Sequence, residues 1–154
     1  MRSIVWYRGK DLRIADHPPL CDAANAGKVL PVFVLDPYFF SPEKAQQIPH
    51  RIQYLLGAIR SLRSSLRSRG SDLLVFEGKS AQIIPDLAIR WRADRVVAQS
   101  WVAPIGRRRD DLVQARLHVP LALYDTETLL PPGNMRTGKG TPYNVFTPFA
   151  RAVR

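Results

Sequence analysis

The residues best suited to chemistry stand near the start of this 154-residue chain, where the apolar run Ile4–Tyr7 gives way at once to Arg8, Lys10, Asp11, Arg13 and Asp16. Guanidinium and ammonium groups bind oxyanions through charge-assisted hydrogen bonds, and carboxylates hold such cations in place. A second charged run is Gly106-Arg107-Arg108-Arg109-Asp110-Asp111. Successive helical residues point about 100° apart, so three consecutive arginines cannot form one patch by themselves. Two readings are open there. One is a solvated helix start with Asp110 and Asp111 as local partners; the other is a single arginine projecting toward an anionic ligand.

Other chemistries fail on spacing. A phosphate loop needs a glycine five positions before Gly78-Lys79-Ser80, and that position is Leu73. Gly9 is isolated, so no G-x-G-x-x-G fingerprint follows the first strand. Gly138-Lys139-Gly140 reads as a linker turn in preference to a backbone phosphate cradle. His17, His50 and His118 lack partners at metal-ligand spacing and read as surface or loop histidines. Ser, Cys and His form no recognisable nucleophile arrangement, which leaves hydrolytic chemistry without support.

The charged runs need elements to position them. Ile4–Tyr7, Val29–Leu35, Leu73–Phe76, Arg95–Ala98 and Pro120–Tyr124 are short, apolar and rich in β-branched residues, as strands are. Between them lie helix-length segments. In His50–Arg69, Ile52, Leu55, Leu56, Ile59, Leu62 and Leu66 recur at spacings of three and four, with Arg51, Arg60, Arg63, Ser64 and Arg67 on the other face and Gly70 as the stop. Further helices are predicted over Pro18–Ala26, entered through Asp16 as N-cap and ended by Gly27; over Ala81–Ala93, broken or bent near Pro85; and after Pro104. Strand and helix alternating five times imply an α/β fold: a five-stranded parallel sheet with helices on both faces. Ligands of such sheets collect beyond the carboxyl ends of the strands, which is where Arg8 to Asp16 fall. After Tyr124 the pattern lapses. Six Gly or Pro lie between 131 and 142, and a new helix is expected near Thr147 or Pro148. The expected division is a domain over 1–125 and a connector over 126–154 that opens a further helical domain, with the chain a fragment of a longer protein.

Twenty-three Lys and Arg against 13 Asp and Glu give a formal charge of +10, which suits an anionic partner or, equally, a solvated arginine-rich surface. Cys21 is the lone cysteine, which excludes an intrachain disulfide and makes a reducing cytoplasm the simplest compartment. No apolar run is long enough to cross a membrane as a helix, and no signal peptide is recognisable.

Taken in order, the pieces resemble the photolyase/cryptochrome flavoproteins, and specifically their amino-terminal antenna-binding domain. "VWYRGKDLRIADHPPL" is similar to the family's Trp-Phe-Arg-x-Asp-Leu-Arg-x-x-Asp-Asn-Pro-x-Leu motif, "VFVLDP" to its second strand, "HRIQYLLGAIRSL" to its Arg-x-x-Phe-Leu helix and "GRRRD" to its Gly-Arg-x-Arg-Asp helix start. "LLPPGNMRTGKGTPYNVFTPFARA" resembles the segment leading into the family's second domain and is the most specific of these. The resemblance implies a Rossmann-like domain that holds a light-harvesting chromophore of folate, deazaflavin or flavin type. Repair of pyrimidine dimers in DNA, and the FAD that drives it, would belong to the full-length parent with its helical domain.

The resemblance also places the site. Arg51, Ile52 and Leu55 match the helix lining the antenna pocket, and Leu35 with Asp36 match the end of the second strand beside it. An alternative for Ile52 and Leu55 is simple packing of helix on sheet. Folate-using members tend to carry Glu where this chain has Gly106, and deazaflavin-using members tend to carry acidic residues where it has Trp101 and Ala103. Both changes remove acceptors for the polar edge of a ring, so the antenna is expected to be a different molecule or absent. Gly9 and Lys10 together separate Arg8 from Asp11, where the family has one residue, and part of this charged exit is expected to lack partners within the chain. Three functions follow for comparison: the antenna domain of a DNA photolyase, the same domain of a cryptochrome photosensor, or a stand-alone nucleotide-binding module.

Overall fold

Apolar side chains on both faces of a strand require a sheet that is covered on both sides. Strands β1 (Arg2–Tyr7) and β2 (Lys28–Leu35) meet that condition, with Ile4, Val5, Trp6, Tyr7, Val32, Phe33 and Val34 all buried. A computed structural model, describing residues 1–126, 128, 130 and 133–153, places them in a five-stranded all-parallel sheet with β3 (Leu74–Glu77), β4 (Arg95–Gln99) and β5 (Leu121–Tyr124). The order is β3-β2-β1-β4-β5. The chain therefore runs outward from β1 to one edge and then returns to build the other half. The reversal opens a crevice between the carboxyl ends of β1 and β4.

Two cores flank the sheet. Helices α1 (Pro18–Ala26) and α4 (Pro49–Arg67) cover one face through Ala23, Ile59, Leu62 and Leu66 against Val5, Tyr7, Phe33 and Val97. Helices α5 (Ser80–Arg90) and α6 (Pro104–Gln114) cover the other through Ile84, Ala88 and Val113 against Ile4, Trp6, Val32 and Val96. Two short helices, α2 (Pro37–Phe40) and α3 (Pro42–Gln47), occupy a stretch with no element predicted, and α7 (Phe146–Val153) lies at the end of the connector. Pro131 and Pro132 of that connector lie outside the described residues.

Several local expectations change. Asp16 does not cap α1: its side chain is 93% exposed, and the cap is His17, whose Nδ1 accepts the Leu20 N–H at 3.1 Å. Nor is His17 a surface residue. It is wholly buried, its Nε2 lies 3.4 Å from Asp11 Oδ2, and its ring packs 4.7 Å from that of Tyr7. Pro85 leaves α5 continuous. It cannot donate to the Ala81 carbonyl one turn earlier, and Arg116 Nη1 supplies that oxygen with a bond at 3.3 Å instead.

Candidate ligand cleft at the switch point

The carboxyl ends of β1 and β2 deliver Trp6, Tyr7, Arg8 and Phe33 to one cleft; α2 brings Phe39 and Phe40, α4 brings Arg51, Ile52 and Leu55, and α6 brings Arg109. The cleft encloses about 170 Å³ of free space, less than most drug-sized ligand sites. Trp101 forms a further wall and stacks on Phe39 with centroids 5.8 Å apart and planes 12° from parallel.

At its base lies an arginine pair. Arg8 and Asp110 are almost wholly buried and form an ion pair of 2.8 Å between Nη1 and Oδ2, so a strand exit is clamped to α6 across 102 residues. Asp11 accepts the Arg8 main-chain N–H at 2.5 Å. Both guanidinium groups lie against the Trp6 ring, Arg8 at 4.3 Å from its centroid and Arg109 at 5.0 Å, and Arg109 also sits 4.7 Å from Trp101. Lys10 Nζ lies 5.3 Å from the same Trp101 ring. Such contacts orient the cations, and among the described residues they leave N–H donors of Arg8 and Arg109 without oxygen acceptors.

The arrangement is under-satisfied. Among the described residues, seven buried side-chain polar atoms have no hydrogen-bond partner, and six belong to Tyr7, Arg8, Arg109 and Asp110. Burial, reinforced by the neighbouring Arg8 charge, pushes Arg109 down to about 10, which still leaves it charged at neutral pH. Burial also holds the Tyr7 hydroxyl well above the ordinary tyrosine range, with the Asp11 charge adding to it. For Asp110 burial again dominates and raises the carboxyl, while Arg8 pulls it the other way.

The residues singled out from sequence separate into three groups. Asp36, Arg51, Ile52, Leu55 and Trp101 line the cleft. Asp36 is committed to structure, since its carboxylate accepts Tyr38 N–H at 3.1 Å through Oδ1 and both N–H and hydroxyl of Ser80 through Oδ2, capping α2 and the start of α5. Leu35 packs into the core beneath α4, Ala103 is the N-cap of α6, and Gly106 lies behind Trp101, so none of these three lines the cleft. Sequence reasoning did not pick out Trp6, Phe39 or Phe40. Arg109 was covered only by the reading in which one arginine of the run faces a ligand. In the charged exit, Arg13 pairs with Asp16 at 3.8 Å, and Arg8 Nε and Nη2 have no acceptor among the described residues.

Sheet order and cleft together define a doubly wound, Rossmann-like α/β domain with a cleft at its switch point. The chain belongs to the DNA photolyase family, whose model matches residues 3–154. The deoxyribodipyrimidine photo-lyase of Thermus thermophilus is 41% identical over 148 residues, covering 96% of this chain and 33% of that protein. A class III photolyase from Agrobacterium tumefaciens superposes with a TM-score of 0.83 at 30% identity, over 98% of this chain and 31% of that one. The cryptochrome of Synechocystis gives 0.86 at 26% identity, over 99% and 33%. The chain thus spans about a third of the length of the relatives it matches. Among the described residues no helix is long and apolar enough to cross a membrane.

Proposed function

We propose that the chain is the light-harvesting domain of a deoxyribodipyrimidine photolyase, and that its cleft seats a flat aromatic antenna chromophore of folate, flavin or deazaflavin type. One observation carries this reading: aromatic and aliphatic walls enclose a base of buried polar groups without partners, as suits a ring with apolar faces and a polar edge. Phe39, Ile52, Leu55 and Trp101 would hold the faces, with Arg51, Arg8 and Arg109 toward the edges. The bound chromophore would supply absorption of near-ultraviolet or blue light. Residues 1–125 are then the antenna domain, and 126–154 the connector into a helical domain. FAD, binding of damaged DNA and dimer repair would reside in the full-length parent, in a cytoplasmic setting. Similarity to the Synechocystis cryptochrome keeps a photosensor parent as the second reading.

The purified chain is incubated with folate, FMN and a deazaflavin, desalted, and its absorbance read from the near ultraviolet to the blue. Stoichiometric retention of one of them is expected, lost on Ile52→Asp. A colourless chain that retains none overturns the chromophore assignment. Photoreversal of pyrimidine dimers by the full-length parent separates the photolyase from the cryptochrome.

A further inference from the structure

We infer that Arg8, Arg109 and Lys10 hold Trp6 and Trp101 as poor one-electron donors, so that light absorbed in the cleft is not lost to electron transfer from the cleft's own walls; the inference rests on the chromophore reading. Cation–ring contacts of significant energy occur about once per 70–80 residues, so a chain of 154 should carry about two. The described residues carry five, and four of them fall on the two indoles that line the cleft. Arg8 and Arg109 approach Trp6, and Arg109 and Lys10 approach Trp101; the fifth contact joins Arg2 to Trp91, which does not line the cleft. The Arg8 and Arg109 side chains are 3% and 16% exposed and Trp6 is buried, so little water screens these charges. Tyr7, the buried phenol of the lining, has no hydrogen-bond partner for its hydroxyl among the described residues. A phenol gives up an electron readily only when its proton can leave with it, so Tyr7 is restrained as well.

A photoexcited aromatic ring is a strong oxidant, and an indole beside it is an able donor. The step at issue moves one electron and nothing else: the indole is oxidised to a radical cation, the excited ring is reduced, and the excitation ends there. A cation against the face of a neutral indole is attracted by the ring quadrupole, but the oxidised indole is itself positive and is repelled. At 4.3–5.3 Å, with little water between, that repulsion is large beside thermal energy. Oxidation is therefore disfavoured at both indoles, and Arg109, which touches both, contributes twice.

Time-resolved fluorescence of the loaded chain tests this, with FMN as the probe, or folate or a deazaflavin where one of those is retained instead. A Tyr54→Phe background removes the exposed phenol at the mouth as a competing donor. With Arg109 intact the bound ring should keep a lifetime within about threefold of the free compound, although two indoles line its site. Arg109→Gln should shorten it at least fivefold, with transient absorption showing a tryptophan radical formed as the emission decays. Arg109→Lys keeps the cation and should stay within about twofold of the unsubstituted lifetime, and Trp101→Phe added to Arg109→Gln should recover part of the loss. If Arg109→Gln fails to fold, the exposed Lys10→Gln should shorten the lifetime about twofold. A retained ring quenched to picoseconds with Arg109 intact, or a lifetime indifferent to these changes, would overturn the inference and leave the chromophore reading standing. A chain that retains no ring compound overturns that reading and the inference with it.

Discussion

Replacing Gly106 by alanine probes the cleft from behind. A Cβ built on Gly106 would lie 2.6 Å from both Cβ and Cγ of Trp101 and 2.9 Å from Cδ2, about 1 Å closer than ordinary carbon contacts allow. Helix α6 is anchored by the Asp110–Arg8 pair, so Trp101 has to give way, its backbone included, because its Cβ is one of the two closest atoms. Its movement breaks the stack on Phe39 and withdraws the ring from Arg109 and Lys10. Overpacking of this kind costs about 1–3 kcal/mol. Alanine is intrinsically better than glycine in a helix by about 1 kcal/mol, which offsets part of that. The net expectation is a loss of about 0–2 kcal/mol, or a fall of up to about 8 °C in melting temperature at roughly 2–4 °C per kcal/mol. A glycine with open space around it would give the opposite sign, a gain of about 1 kcal/mol. Thermal melts followed by circular dichroism, with tryptophan emission and chromophore retention measured on the same samples, separate the cases. A stabilised Gly106→Ala chain with unchanged emission and undiminished retention would refute the packing argument.

Two more outcomes follow from the charged groups. Asp110→Asn leaves Arg8 buried without its carboxylate and should cost about 3–5 kcal/mol, a large part of the roughly 5–15 kcal/mol available to a domain; urea unfolding that shows less than about 1 kcal/mol would contradict the clamp. Asp72, bonded through both oxygens by Arg63 and Arg67, is held well below the ordinary carboxylate range, first by the Arg63 hydrogen bonds and then by those of Arg67. A depressed carboxyl stabilises the fold above its unfolded value near 4 and loses that contribution as pH falls. Because the cluster is exposed, the loss should be small and reduced by salt, and Asp72→Asn should flatten the acid limb of melting temperature against pH.

The strands were legible because their apolar content runs on both faces, a pattern that only a covered parallel sheet explains. The predicted bounds of Val29–Leu35 and Arg95–Ala98 fall within a residue of β2 and β4. Helix α4 was legible for the converse reason, a stripe at spacings of three and four, although only Ile59, Leu62 and Leu66 of it are fully buried. Its first turns carry Ile52 and Leu55 to the cleft instead of the core, so periodicity alone left their role open between packing and binding. Short helices α2 and α3 escaped because four and six residues are too few for a periodicity, and Pro37, Pro42 and Pro49 read equally well as breaks or as helix starts. His17 was misplaced because a cap is expected to be Ser, Thr, Asp or Asn, and an imidazole nitrogen can accept the same N–H.

Which arginine of Arg107-Arg108-Arg109 turns inward could not be read locally, because the answer lies in the rotation of α6. The residues it buries are Gly106, Asp110 and Val113, spaced four and three apart as a buried stripe should be. Two of the three are not apolar, so the stripe carries no hydrophobic signal. Gly106 is there because Trp101 leaves no room for a side chain, and Asp110 because Arg8 arrives from a strand 102 residues earlier. With those two contacts made, Arg107 and Arg108 point to solvent while Arg109 is carried to Trp6 and Trp101. The opening charged run and the arginine triplet are therefore one feature of the molecule, divided between the segments that follow the two strands flanking the switch point. The positive base of the cleft exists only when the sheet brings them together.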